Sequence, residues 1–335
     1  MSGTVKLALV GCGAISEWHR LGIREAPEIE IRAAVDVDRA KAGAVADETG
    51  AEVFTSLDEA LSKGDFDAVD LMLPHDLHEP LALRALDAGK HVLLEKPMAP
   101  SVEACERILE AARKAPGVFM VAENAQYWPE VVIAQELIEE GAIGEVVTAG
   151  VHLFFPPLPA YYGGDRPWRM ERGAAGGGIS IDTGSHYIRP LRMWLGEIEE
   201  VVAAMERPYT QMEGESLARA LFRFRSGRVA SFDLMLTEAP IGSQEMFRIS
   251  GTKGEILIGL EVKLYDADHP RGVKVREEVP QGYLRSYAGQ FRDFASAVLR
   301  GTPLAAGPEH SLGELRTALA MERSARTRRW EKVWE

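Results

Sequence analysis

Cysteine is scarce in this 335-residue chain. Only Cys12 and Cys105 occur, too far apart to outline a disulfide framework or a zinc site, and a reducing cytoplasm is the compartment that fits. Long hydrophobic runs are missing as well. No stretch approaches the roughly 18 apolar residues of a membrane span, and the N-terminal run VKLALV is short, ends in glycines and lacks a small-residue cleavage pattern. It reads as a strand. Positive charge is in deficit: at a formal net charge of −13, a surface built for phosphate backbones would have to stand against a repulsive field. Neither nucleic acid nor membrane is an expected partner. The basic cluster near the end, RSARTRRWEKVW, is interleaved with Glu331 and Glu335 and reads as a solvated helix end. No repeat or low-complexity segment is visible.

What is present is apolar material for a large core, with length for two domains at about 150 residues each. Up to residue 123, apolar runs alternate with amphipathic stretches: VKLALV, IEIRAAVD, DAVDLMLP, HVLLEK and VFMVAE, with helical segments between them. Such unalternated runs mark strands covered on both faces, hence a parallel sheet with crossover helices. Residues 1–123 are expected to form an α/β domain and residues 124–335 an α+β domain with a large, mostly antiparallel open sheet. In the second part, SLARALFRFRSGRVASFDLML alternates with period two around a hairpin turn at Ser226 and Gly227. Helices are expected around Tyr287 to Leu299 and Gly313 to Arg328.

The first strand runs into GCGAIS and a helix. Gly11 permits a tight turn, and Gly13 lets the backbone approach a pyrophosphate at a helix N-terminus, although Ser16 stands where the third glycine of the dinucleotide fingerprint belongs. The second strand ends at Asp36, about 20 residues on, where a ribose 2′-hydroxyl would be read. Its neighbour Asp38, directly before RAKAGAVA, reads as a helix N-cap. The carboxylate of Asp36 would repel a 2′-phosphate, so NAD is expected over NADP, with Arg39 close enough to offset that repulsion. In MLPHDLHE the two histidines match no zincin pattern and no metal is expected; the loop carrying Pro74, His75 and His78 is read as lining the cofactor cleft.

The stretch HVLLEKP, residues 91–97, poses a separate question. A buried strand ends in Glu95, Lys96 and Pro97, although a lysine is costly to bury and a proline stops the ladder. ALRALDAGKHVLLEKPMA and WRMERGAAGGGISIDTGSHYIRPLRMWLGEI, together with the Gly11 turn, AENAQYWP and ERSARTRRWEKVW, resemble the signatures of the Gfo/Idh/MocA family. That resemblance implies a Rossmann domain, an open-sheet domain that often makes oligomers, and NAD(P)-dependent oxidation or reduction of sugars, cyclitols and related polyols. It also implies an active-site lysine at Lys96 and an acid and histidine at Asp182 and His186. Four residues apart on a helix, the latter two would share one face.

The cofactor set then comprises Gly11, Gly13, Ala14, Ile15, Asp36, Val37, Arg39, Pro74, His75, His78, Glu95, Lys96 and Asn124. The substrate set comprises Lys96, Gln126, Tyr127, Trp168, Arg169, Asp182 and His186; the aromatic loop from Phe154 to Arg172, including Tyr161 and Tyr162, is open to two readings, a wall of the site or a loop-packing or oligomer contact. Lys96 is read as the charge that stabilises a developing alkoxide, His186 as the general base, given an ordinary imidazole pKa of about 6.5, and Asp182 as substrate contact and relay partner. Lysine and histidine can exchange roles, because desolvation can lower a lysine pKa far enough for it to act as base. Two departures from the family pattern stand out: Arg189 where Asp or Asn is common, and His75 where Asn is common. Arg189 is open to two readings, a contact for a substrate carboxylate or a contact within the protein. Two other functions share the fold, a glycosidase or epimerase using transient oxidation with bound nucleotide and a non-catalytic nucleotide sensor. A homodimer or homotetramer is expected from the poorly solvated face of SLARALFRFR.

Overall fold

A computed structural model describes residues 3–163, 167–275 and 282–335 of the chain. The chain divides into two units, Met1–Asn124 with Tyr283–Leu312, and Ala125–Gly282 with Gly313–Glu335.

In the first unit the elements follow in the order β1 (Val5–Val10), α1 (Ala14–Arg24), β2 (Ile29–Val35), α2 (Arg39–Thr49), β3 (Glu52–Phe54), α3 (Leu57–Lys63), β4 (Ala68–Leu71), α4 (His78–Asp87), β5 (His91–Glu95), α5 (Val102–Lys114) and β6 (Phe119–Ala122). Among the described residues these strands form a six-stranded parallel sheet of order β3-β2-β1-β4-β5-β6. It is the Rossmann arrangement expected from the apolar runs, with the strand order reversing between β1 and β4. The runs mark five of the six strands. The sixth, β3, spans 3 residues at the sheet edge, too few for a periodic signal. Asp38 caps α2, its side chain accepting from the Ala40 amide.

The second unit contains α6 (Pro129–Glu139), β7 (Val146–Phe155), four helical pieces α7 (Pro159–Tyr162), α8 (Arg172–Ala175), α9 (Ile179–Asp182) and α10 (Gly184–Leu195), then strands β8 (Ile198–Glu206), β9 (Leu217–Phe224), β10 (Val229–Leu236), β11 (Phe247–Gly251), β12 (Glu255–Ile258), β13 (Val262–Tyr265) and β14 (Val273–Lys274). After α11 (Gly282–Arg300) and α12 (Glu309–Thr327), β15 (Glu331–Lys332) closes the edge of a nine-stranded sheet, counted among the described residues. The order is β14-β13-β12-β11-β7-β10-β9-β8-β15, antiparallel except where β7 and β10 pair in parallel. Burial alternates along β9 and β10, and Phe222, Phe224, Phe232 and Phe247 are fully buried on the inner side. Their hairpin turns where Ser226 and Gly227 predict it, with Gly227 at φ +82°.

Where a single boundary at residue 123 is expected from the sequence, the first unit takes its residues from two segments of the chain. Tyr283–Leu312 belongs to the first unit together with Met1–Asn124. The reason is local: a Cβ on Gly22 of α1 would lie 2.5 Å from the Tyr287 side chain, so only glycine admits α11 at that contact. The rings of Tyr287 and Phe291 then cover His19 at 5.0 and 5.4 Å.

Candidate active site

The turn after β1 is built for close approach. Gly11 holds φ +95°, and a Cβ there would lie 2.1 Å from the Met72 carbonyl oxygen, so the residue must be glycine for β1 and β4 to pair. Gly13 differs: a Cβ there would meet nothing within 4 Å. It caps α1, whose first turn includes Ala14 and Ile15, without a side-chain hydrogen bond. Ser16 is buried where a third glycine is usual, its hydroxyl donating to the Gly13 carbonyl at 2.7 Å. Asp36 is held by two main-chain donors, the Cys12 amide on Oδ2 and the Asp38 amide on Oδ1, both at 2.8 Å. Its remaining lone pairs suit a ribose diol. Val37 is 93% exposed beside it, and Arg39 is exposed at the start of α2. A cradle of open space at a helix N-terminus, next to an oriented carboxylate, fits a dinucleotide.

Lys96 follows the last residue of β5, at the carboxyl edge of the same sheet, and is half-buried. Its amide donates to Glu95 Oε2 at 3.1 Å, and the Lys96–Pro97 peptide is cis. His78, expected along the cofactor cleft, has no exposed surface. Its Nδ1 faces the Pro97 carbonyl at 2.8 Å and its Nε2 the Leu73 carbonyl at 2.9 Å. Burial pushes its pKa below the usual imidazole range, with the two carbonyl contacts opposing it. It braces the β4 and β5 loops from behind. His75 is buried with its ring 5.4 Å from that of His78, and Asn124 is buried with its amide donating to Ser286 at 3.0 Å. Pro74 is half-buried at the loop's start. Among the described residues no group of three or more His, Cys, Asp or Glu side chains could hold a metal ion.

In the second unit, the glycine-rich turn explains itself by contact. A Cβ on Gly178 would lie 2.1 Å from the Glu215 carbonyl oxygen. That close approach lets Glu215 cap α9, its main-chain oxygen taking the Ile179 amide and its Oε1 the Ser180 amide. Burial raises the Glu215 pKa, the amides opposing it. Asp182 ends α9 and His186 sits in α10. Thr183 between them keeps helical dihedrals (φ −80°, ψ −35°), so the one-turn offset expected from the sequence is retained. Asp182 is buried and accepts from Arg169 Nε at 3.2 Å. The Arg169 guanidinium lies over the Trp168 ring at 4.3 Å and the Tyr161 ring at 5.2 Å. Burial, followed by the Asp182 charge, pushes the Tyr162 phenol upward. The aromatic wall is thus a packed cluster around the acid; its residues 164–166 lie outside the described residues. His186 is half-buried, its ring 5.9 Å from that of Trp128.

Arg189 resolves one open reading. Its Nε and Nη2 both donate to Gln126 Oε1, at 3.1 and 2.9 Å, and its Nη1 lies 4.0 Å from Glu314. A contact within the protein is what the structure contains, and it fixes the side-chain amide of Gln126. Tyr127 beside it is half-buried. Sequence reasoning missed His19, which is buried between Asp70 and Glu95. The available signal was Asp70 itself, an acid in the middle of the buried run DAVDLML.

Parallel sheet, glycine turn and an oriented carboxylate at the end of the second strand fit a nucleotide-binding unit. The sequence matches an oxidoreductase family with an NAD-binding Rossmann fold over residues 5–123 and the GFO/IDH/MocA C-terminal domain over residues 131–257. The 1,5-anhydro-D-fructose reductase of Ensifer adhaerens is 31% identical over 328 residues, 95% of this chain and 96% of that protein. An oxidoreductase of Thermotoga maritima superposes with a TM-score of 0.86 at 31% identity, over 98% of each chain. The WlbA dehydrogenase of Bordetella pertussis, solved with NADH and UDP-GlcNAcA, superposes with a TM-score of 0.87 at 25% identity, again over 98% of each chain. The chain belongs to the Gfo/Idh/MocA family. It is an oxidoreductase whose cofactor is NAD.

Proposed function

We propose that the protein interconverts a secondary hydroxyl and a ketone on a sugar, cyclitol or related polyol, in the cytoplasm, with Lys96, Asp182 and His186 as its catalytic residues. The observation that carries the reading is Lys96 itself, delivered by β5 to the sheet edge that also carries Gly13 and Asp36, with its main chain anchored by Glu95. Held beside Gly13 and Asp36, the nicotinamide cofactor would supply the hydride acceptor in oxidation and, in its reduced form, the hydride donor in reduction. Negative charge then develops on the substrate oxygen, and the Lys96 ammonium stabilises it. His186 accepts the hydroxyl proton. Asp182, already an acceptor for Arg169, orients the substrate and the imidazole.

Monitoring NADH formation across cyclitols, aldoses, uronates and glycosides tests this. Accumulation with one polyol class supports it. Release of sugar from a glycoside without net NADH would replace it by hydrolysis through transient oxidation, and NAD binding with no turnover across the panel would leave a sensor.

Asp36 carries the cofactor preference in this reading. Asp36→Ser should narrow the ratio of kcat/KM for NAD over NADP by roughly tenfold, on the scale of one charged contact. Equal use of both cofactors by the unaltered protein would remove Asp36 from that role.

A homodimer or homotetramer is also part of the proposal. The outer face of the nine-stranded sheet exposes Leu221 at 45% and Val229 at 36%, and stacking two such faces about a two-fold axis would cover them. Light scattering should give a multiple of 36.8 kDa at micromolar concentration, and a monomer alone would count against it.

A further inference from the structure

We propose that His19 is a positioning residue for Lys96: clamped between Asp70 and Glu95, it fixes the carboxylate that holds the Lys96 main-chain amide. The proposal rests on the reading of Lys96 given above. His19 Nδ1 lies 2.7 Å from Asp70 Oδ2, and its Nε2 lies 2.8 Å from Glu95 Oε1. His19 and Asp70 have no exposed surface and Glu95 is 7% exposed. The other oxygen of Glu95 accepts the Lys96 amide. One ring therefore joins α1, β4 and β5, with Glu95 passing the constraint to the residue that carries the chemistry.

Both ring nitrogens face carboxylate oxygens, an arrangement that asks for two N–H donors, hence an imidazolium. Burial alone would favour the neutral ring, but the charges and hydrogen bonds of Asp70 and Glu95 outweigh it and hold the pKa up at about 10. Tyr287 and Phe291 close over the ring and exclude water, which strengthens these contacts.

Stability alone does not account for the triad. Two buried carboxylates and an imidazolium are costly to desolvate, and well-packed apolar residues of similar volume commonly serve a core as well or better. Asp70 Oδ1 has no hydrogen-bond partner among the described residues, so the site is not even fully satisfied as a structural network. What the triad supplies that leucines could not is a rigid hydrogen-bond path ending on the Lys96 amide. A misplacement on the order of 1 Å at a reacting group can cost about a hundredfold in rate.

The test compares His19→Gln with the unaltered, NAD-bound full chain by amide hydrogen exchange in NMR. The Lys96 amide should exchange at least about tenfold faster in the variant, while the ladder amides of Leu93 and Leu94 stay within about twofold, because the loss is local. Unchanged protection of Lys96, or equal loss at all three amides, would overturn the proposal. Asp70→Asn, which keeps the shape of the partner, gives the same readout if His19→Gln fails to fold. With a substrate in hand, His19→Gln should lower kcat at least about tenfold in the unaltered background and add nothing in the Lys96→Met background. An equal fold loss in both backgrounds would make His19 structural only. Near-normal turnover by Lys96→Met would instead remove the reading of Lys96, and the exchange result would stand apart from it.

Discussion

Replacing Lys96 by Met or His186 by Ala is expected to lower kcat by a factor on the order of 100 or more while leaving NAD affinity nearly unchanged. Removing a hydride from a carbinol carbon also requires loss of the hydroxyl proton, and an alcohol is a very weak acid. A base and a positive charge must therefore act on one oxygen. Met keeps the length of the Lys96 stem and removes only the charge, so packing at the end of β5 is preserved while the developing alkoxide loses its stabilisation. His186→Ala removes the proton acceptor, and the half-buried ring leaves little behind to collapse. NAD affinity is the control, because Gly11, Gly13 and Asp36 lie on other turns of the first unit and are untouched. Near-normal turnover by both variants with a good substrate would remove this active site, whatever the family.

The parts of the site that could be read from the sequence are those whose meaning is local. Gly11, Gly13 and Asp36 follow from strand, turn and spacing, and Glu95, Lys96 and Pro97 announce themselves because a strand has no ordinary reason to end that way. The hairpin at Gly227 and the Asp38 cap are likewise short-range rules. What escaped depends on tertiary neighbours. His19 is one polar residue on an amphipathic helix until β4 and β5 bring Asp70 and Glu95 to its two nitrogens, 51 and 76 residues away. His78 reads as a cleft residue from its place after β4, yet α4 turns it inward against Pro97. The return of α11 to the first unit rests on Gly22 meeting Tyr287, a contact that no periodicity encodes. Ser16 shows the converse, a departure from a motif that the fold absorbs by burying one hydroxyl on Gly13.

Gly11→Ala and Gly13→Ala should separate folding from cofactor binding within three residues of chain. At Gly11 the new Cβ would stand 2.1 Å from the Met72 oxygen and 2.9 Å from its carbonyl carbon, main-chain atoms that cannot step aside without breaking the β1–β4 ladder. The φ of +95° adds strain for any residue with a side chain. Together these should cost about 3 kcal/mol or more of unfolding free energy, the scale of overpacking plus a strained backbone. At Gly13 the same methyl group meets nothing within 4 Å, and φ is −82°, which alanine adopts freely. Stability there should stay within about 0.5 kcal/mol. The methyl instead enters the space that the pyrophosphate is expected to fill at the N-terminus of α1, so the Kd for NAD should rise by a factor on the order of 10 or more. Urea unfolding followed by NADH fluorescence titration measures both quantities on the same samples. Unchanged NAD affinity in Gly13→Ala would mean that the open space beside that residue is not where the phosphates lie, and native-like stability in Gly11→Ala would mean that β1 and β4 can shift apart to admit a side chain.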